Sequence, residues 1–245
     1  LTCQFGPSVR KAKVNAVLVG DEQAAMWIPL LDRIANAAGI RFTTYLHASC
    51  PITADPRSAG AESSTCRDWR DAVIGKLDSG TQKVIVTGGG GEGAGAQSAE
   101  AAKAEADGSA ALWRGWLAKG RQVVAIGAVP ALPFDVDACI VDHLAQPDPC
   151  TVPAAQAPAD ALALAATQIS SKRFSYLDMR SIFCDDVLCH SVVGGLVAYR
   201  DGTQLKSSFT LTAASKFASV PAFEPLVPKP KPKYRRTASP HRIAR

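Results

Sequence analysis

A three-layer α/β domain, in which a mostly parallel sheet carries helices on both faces, is the fold class this sequence predicts. Short apolar runs of strand length recur at Val14 to Val19, Arg41 to Leu46, Lys83 to Thr87 and Gln122 to Ile126. Segments of helical periodicity or Ala-rich composition separate them, and the connections are short and rich in Gly or Pro. Strands buried on both faces read as continuous apolar runs, and their alternation with helices is the pattern of a parallel sheet.

Val14-Asn15-Ala16-Val17-Leu18-Val19 ends in Gly20-Asp21, as a buried strand running into its helix does. Met26, Ile28, Leu30, Leu31, Ile34 and Ala38 then keep helical spacing, and Gly39 is placed to end the helix. The second strand, Arg41 to Leu46, leads into a loop opened by Cys50-Pro51 that runs to Cys66, and Trp69 to Leu77 is helical in pattern. The third strand is followed by Gly88-Gly89-Gly90-Gly91-Glu92-Gly93, expected to be a flexible surface loop because it lacks the Lys-Ser/Thr ending of a phosphate cradle. An Ala/Glu/Lys-rich segment continuing through Ser109 to Leu117, and then the fourth strand, follow. The spacing then predicts a helix over Asp160 to Ser171, a fifth strand over Phe174 to Asp178, a strand or extended segment over Val192 to Tyr199, and a closing helix over Leu205 to Phe217. Proline is too frequent from Pro221 onward for packed structure, so the domain is expected to span 1–222, followed by a disordered tail over 223–245.

The 245 residues suffice to bury a core, with 47% apolar composition and 20% charge. No apolar run reaches the roughly 18 to 20 residues that span a bilayer. A chain that opens on Leu1, with no basic and apolar leader, reads as a processed protein or an excised fragment. The net charge of +5 is carried by the tail, because removing the seven basic residues of 229–245 leaves the body at −2. The tail is expected to be solvated, with contact to an anionic surface as the sharper reading. One aromatic, Tyr234, and a body without a basic stripe argue against nucleic acid.

Six of the seven cysteines form neighbouring couples: Cys50 with Cys66, Cys139 with Cys150, and Cys184 with Cys189. Each couple encloses a polar or proline-bearing stretch, so disulfides stapling loops are expected, the alternative being reduced and buried cysteines. Disulfides would place the domain outside the cytoplasm. Cys3 is left over, and its partner is expected upstream of Leu1. No couple has Cys-x-x-Cys spacing and the histidines are scattered, so neither a metal nor any other cofactor is expected.

Active crevices of open α/β sheets lie beyond the carboxyl ends of the strands. Gly20-Asp21-Glu22-Gln23, the glycine run and the late Asp201-Gly202-Thr203-Gln204 are all expected there. Together with Val17 to Asp21, Ala24-Ala25-Met26-Trp27, Leu30, Cys50-Pro51, Cys66 with Trp69, the Cys184 and Cys189 couple, and Tyr199-Arg200-Asp201 before Leu205, these residues are similar to a known pattern. Over most of residues 3–218 the chain resembles the extracytoplasmic SGNH domain fused behind bacterial integral-membrane O-acyltransferases, which modify envelope glycans and lipids. The resemblance implies an SGNH or flavodoxin-like sheet, an upstream membrane acyltransferase domain, a glycan or lipid acceptor, and a place on the extracytoplasmic side of the membrane.

In that family the early motif is Gly-Asp-Ser-His and the late one Asp-x-x-His-Leu. Glu22 stands at the serine position and Gln204 at the histidine position. A serine nucleophile needs an imidazole to take its proton, so the resemblance implies a site that retains Asp21 and Asp201 without its reacting groups. The glycine run falls where the family stabilises an oxyanion, which makes Gly20, Gly88, Gly89 and Gly90 the ligand-binding candidates. The expected role is acceptor binding or support of acylation without an acyl-enzyme. The alternatives are an esterase or acyltransferase using Glu22 or Asp201 with His190, and a structural envelope tether. His47 and His143 are expected to be structural.

Overall fold

In the computed structural model the described residues are 2–54, 64–89, 98–146, 149–157 and 160–223. The chain opens with β1 (Gln4–Phe5) and β2 (Val14–Gly20), then α1 (Glu22–Ala25), α2 (Ile28–Ala38) and β3 (Ile40–Leu46). Next come α3 (Ser64–Ser79), β4 (Val84–Gly88), α4 (Ala99–Ala118), β5 (Gln122–Ile126), α5 (Val136–Asp142), β6 (Thr151–Pro153), α6 (Ala161–Ala166) and β7 (Phe174–Leu177). The chain continues through α7 (Arg180–Phe183), β8 (Leu188–His190), β9 (Val192–Val193), β10 (Leu196–Val197), α8 (Ser207–Thr210) and α9 (Ala214–Ala218).

Six strands form the main sheet in the order β1-β3-β2-β4-β5-β7, parallel except for β1. Among the parallel strands the chain starts inside the sheet, moves to one side through β3, and then runs to the other through β4, β5 and β7. This is the flavodoxin-like winding, and it reverses between β2 and β4. Strand side chains alternate between two cores. Ala16 and Leu18 pack with α1, α2 and the late helices, whereas Val17 and Val19 pack with Val73 and Leu77 of α3, Trp113 and Trp116 of α4, and Leu162 of α6. The two cores establish the predicted three layers.

The disulfides Cys50–Cys66, Cys139–Cys150 and Cys184–Cys189 are all formed, while Cys3 is free and exposed. The second staple fastens the middle of α5 to the residue before β6, which pairs antiparallel with β8, the strand that carries Cys189 of the third staple. Gly39 ends α2 as expected, with φ 72 and its N–H on the Ala35 carbonyl.

Several expected elements are shorter or interrupted. The periodic stretch from Met26 does not join α2, because Pro29 sits in its first turn and has no N–H to give to the Ala25 carbonyl. The chain turns at Met26-Trp27, and Trp27 is buried against Phe217. The helix expected to reach Ser171 is helical only to Ala166. Val192 to Tyr199 is a small hairpin whose turn residues, Gly194 and Gly195, have φ 59 and 78. The closing helix is broken into α8, a 3₁₀ turn over Leu211–Ala213, and α9. Hydroxyls explain the tightening: Thr210 Oγ1 donates to the Ser207 carbonyl at 2.9 Å and Thr212 Oγ1 to that of Phe209 at 2.7 Å. The packed body continues through Phe223, fully buried and stacked on Phe217. The expected surface loop at Gly90–Gly93 and the basic tail lie outside the described residues.

Asp185 organises the loop of the third staple. Its carboxylate accepts from the N–H groups of Leu188 and Val187, both at 2.7 Å, and meets His190 Nε2 at 3.1 Å. Those two N–H bonds first, and His190 after them, hold its pKa down to about 2. A depressed carboxylate stabilises the fold above its ordinary value of 3.8, and that contribution is lost as pH falls through about 2. An NMR titration should therefore find the Val187 and Leu188 amides unchanged down to the ordinary aspartate range, moving only as pH approaches 2. Asp185→Asn should abolish that transition.

Candidate functional site

The winding reverses between β2 and β4, so the crevice of this sheet opens where those strands end. Gly20 and Gly88 are register partners there. A Cβ on Gly20, whose φ is +150, would fall 1.9 Å from the Gly88 carbonyl oxygen, so the two strand ends meet closely enough to need glycine. Gly89 follows with φ +143, and a Cβ on it would lie 2.9 Å from Asp21 Oδ2. Asp21 is buried and caps α1, its Oδ1 accepting from the Gln23 N–H at 2.8 Å. Gly20 and Gly89 thus flank Asp21, Gly88 pairs with Gly20 and packs against Ala24, and Gly90 lies outside the described residues.

Glu22 is tied to the segment after β3. Its Oε2 accepts from the Ser49 N–H at 2.7 Å, and the His47 N–H bonds the Gly20 carbonyl at 3.1 Å, which fastens the exit of β3 to the early turn. Ser49 adopts φ 52 in doing so. Between these segments lies a cleft of about 300 Å3 lined by Asp21, Glu22, Ala25, Leu46, His47 and Ala48.

The late loop is built around Asp201. Its Oδ1 accepts from the N–H groups of Thr203 and Gln204, both at 2.7 Å, and from the Thr203 hydroxyl at 3.0 Å. Burial pushes this carboxyl up, but those three donors and Arg200 outweigh it, leaving the pKa below the usual aspartate value. Gln204 bonds back to Arg200 Nη2 at 2.5 Å through its side chain. Gly202 passes so close to the segment after β5 that a Cβ would lie 2.3 Å from the Leu132 carbonyl oxygen. Tyr199 donates its hydroxyl to the Pro130 carbonyl at 2.8 Å.

Gln23 joins the early turn to this loop. Only 6% exposed, it donates from Nε2 to the Thr203 carbonyl at 3.0 Å, and its Oε1 accepts from the Val129 N–H at 3.4 Å. The segment after β5 is held from its other side by Asp160, whose Oδ2 accepts from the Ala128 N–H at 3.0 Å and the Tyr176 hydroxyl at 2.6 Å. Burial raises the Asp160 pKa, with the Tyr176 hydroxyl and backbone N–H groups acting in opposition. Gln23→Ala would leave the Thr203 carbonyl and the Val129 N–H without that partner, so a loss of about 1–3 kcal/mol is expected in urea unfolding. Hydrogen exchange should also quicken across 199–205 and 128–132. Unchanged exchange there would show that Gln23 does not hold the loop.

Early turn, glycine ends and late loop therefore converge as expected, while Glu22 and Gln204 bond in different directions. His190 lies on β8 and meets Asp185 of the preceding loop, and the histidine lining the cleft is His47. His47, expected to be structural, lines the cleft, and Gln23, the last residue of the early quartet, is the one that bonds to the late loop. The position of His47, one residue beyond a strand predicted to end at the same crevice, was the available signal. Among the described residues, no group of three or more His, Cys, Asp or Glu side chains is arranged to hold a metal.

A doubly wound α/β domain with an early Gly-Asp turn, a glycine strand end and a late Asp loop at its switch point has the framework of an SGNH hydrolase-like fold. A family model described as "SGNH domain (fused to AT3 domains)" matches residues 1–203, and the chain belongs to that family. Among solved structures it is similar to the periplasmic domain of a lipopolysaccharide acetyltransferase from Salmonella ser. Paratyphi A. The TM-score is 0.63 at 12% identity, covering 87% of this chain and 89% of that one. No curated protein matches the sequence. No helix among the described residues is long and apolar enough to cross a membrane.

Proposed function

We propose that this domain works on the extracytoplasmic side of a bacterial membrane in the O-acylation of an envelope glycan or lipid, binding the acceptor or supporting a membrane acyltransferase domain of the same polypeptide without forming an acyl-enzyme itself. The observation that carries the reading is the bonding of Glu22 and Gln204. The residue at the nucleophile position is tied to Ser49 in the segment after β3 and the one at the base position to Arg200 within the late loop, so the two bond to separate partners and do not form a proton-transfer pair. Near neutral pH a glutamine side chain cannot accept the proton that an attacking hydroxyl must lose. Membership in a family fused to AT3 domains supports the acylation context. Three disulfides and the likeness to a periplasmic domain support the compartment. The purified protein should not accelerate hydrolysis of p-nitrophenyl acetate at any pH from about 5 to 9, the range in which a histidine base would titrate. Hydrolysis that disappears in Glu22→Ala would overturn the reading.

A further inference from the structure

We propose that the edge of the sheet where its parallel strands begin, opposite the crevice, is a contact surface for an anionic phospholipid membrane. Parallel strands all start at one edge, so their winding gathers there residues that are dispersed in the sequence. Lys13 precedes β2, Lys83 precedes β4, Lys119 and Arg121 precede β5, Lys172 and Arg173 precede β7, and Arg41 is the second residue of β3. Backbone bonds line these positions up across the sheet. The Lys13 N–H donates to the Gly39 carbonyl at 2.7 Å and the Lys83 N–H to that of Asn15 at 3.0 Å. The Lys83 carbonyl in turn accepts from the Gln122 N–H, and the Arg173 carbonyl from the Val123 N–H, both at 2.9 Å. With neighbouring strands about 4.8 Å apart, the row from β3 to β7 is roughly 20 Å wide, too broad for one small anion. The turn between β1 and β2 reaches the same edge, where Arg41 Nη1 donates to the Pro7 carbonyl at 2.8 Å, and it adds Arg10 and Lys11.

Part of this charge is used by the fold. Arg121 donates to the carbonyls of Asp78 and Gly80 at the end of α3, Arg173 to that of Leu117 in α4, and Lys119 pairs with Asp78 at 2.8 Å. Arg10, Lys11, Lys13, Lys83 and Lys172 are exposed, and their side chains bond no described residue. The carboxylates nearby are engaged, Asp78 by Lys119 and Asp32 by the Gly6 N–H and the Asn36 amide, both at 3.0 Å. Like charges gathered without partners repel one another, and an outside anionic surface turns that cost into attraction. Val9 distinguishes the kind of surface. It is 73% exposed in the turn beside Arg10 and Lys11. A soluble polyanion offers a valine nothing, whereas an apolar side chain beside cations enters the headgroup boundary of a bilayer while the cations meet the phosphates. The crevice, at the other end of the strands, then opens away from the lipid. Lipid contact neither requires nor excludes acyl transfer, so it stands apart from the function proposed above.

Cosedimentation of the full-length protein with vesicles tests this, using phosphatidylcholine alone and phosphatidylcholine mixed equally with phosphatidylglycerol. To separate the edge from the basic tail, one variant carries glutamine in place of every Lys and Arg of 229–245, and it should still bind the mixed vesicles and not the neutral ones. In that background Lys13→Gln, Lys83→Gln and Lys172→Gln together should weaken binding about a hundredfold, at roughly fivefold per cation near an anionic surface. Arg33→Gln with Arg67→Gln, exposed on α2 and α3, removes charge elsewhere on the body and should weaken binding far less per residue. Val9→Ser should weaken vesicle binding several-fold and leave binding to alginate, a soluble carboxylated polymer, unchanged. Hydrogen exchange of the vesicle-bound protein should slow across 8–13, 81–83 and 171–173, and not across 21–27 or 199–205. The contact surface is wrong if the tail-neutralised protein ignores anionic vesicles, if the triple lysine variant binds them as before, or if exchange slows at the crevice instead. Unchanged vesicle binding by Val9→Ser, or alginate bound as tightly as the vesicles, would overturn lipid as the partner in favour of a soluble polyanion.

Discussion

Gly20→Ala should destabilise the protein by roughly 3–5 kcal/mol, one of the largest effects expected of a single added methyl group. Two costs combine. The backbone at φ +150 is one that residues with a Cβ rarely adopt, and the new carbon would stand 1.9 Å from the Gly88 carbonyl oxygen and 2.9 Å from Ala24 Cβ. Relief requires β2 and β4 to part at their carboxyl ends, in the middle of the sheet and beneath Asp21. Urea unfolding should show a large fall in midpoint with little change in slope, since the area exposed on unfolding is nearly the same. Gly75→Ala supplies the contrast. Gly75 lies within α3 and an added Cβ meets nothing within 4 Å, so this change should stabilise by about 0.5–1 kcal/mol. Equal effects of the two substitutions would contradict the close approach at the switch point.

Trp27→Ala should cost about 3–5 kcal/mol, as expected for removing a buried tryptophan. The side chain is 1% exposed, and its ring lies 5.3 Å from that of Phe217, which in turn stacks on Phe223. Trp27 sits in the turn between α1 and α2, so it links the early turn to the last helix across more of the chain than any strand pairing does. Its loss should leave a cavity under α1 and free the short helix carrying Glu22 and Gln23. Chemical denaturation measures the stability, and hydrogen exchange should quicken in 21–27 and 214–223 together. Quickening in only one of the two segments would show that the ring does not couple them. Because whole domains are stable by only about 5–15 kcal/mol, either substitution would consume a large part of the total.

What could be read from the sequence follows from how local each signal is. Val14 to Val19, Lys83 to Thr87 and Gln122 to Ile126 were legible because central parallel strands must be apolar on both faces, and Gly39 because a helix end at positive φ favours glycine. The three disulfides were legible because each closes a short stretch between neighbouring cysteines. The break before α2 was present in the sequence as Pro29, but apolar spacing continues across it and masks it. The late helix likewise keeps an apolar pattern while Thr210 and Thr212 tighten its backbone. The two positions where the reacting groups would stand could be named from the Gly-Asp and Asp-x-x-Gln patterns. Their directions could not, because Glu22 is turned by a backbone N–H from the loop after β3, and Gln204 by Arg200 within the late loop. The bond from Gln23 to Thr203 spans 180 residues and depends on the whole winding of the sheet.

The central claim is that a hydrolase framework is retained here without an acyl-enzyme. Intact-protein mass spectrometry tests it most directly: the protein is mixed with excess p-nitrophenyl acetate, quenched in acid at successive times, and any acyl adduct is mapped by peptide analysis. The account predicts that no adduct accumulates on Asp21, Glu22 or His47, and that any acylation is the background modification of the exposed Cys3 thiol and of exposed amines. A rapid, stoichiometric adduct on one of those three residues, lost in Glu22→Ala, would contradict it.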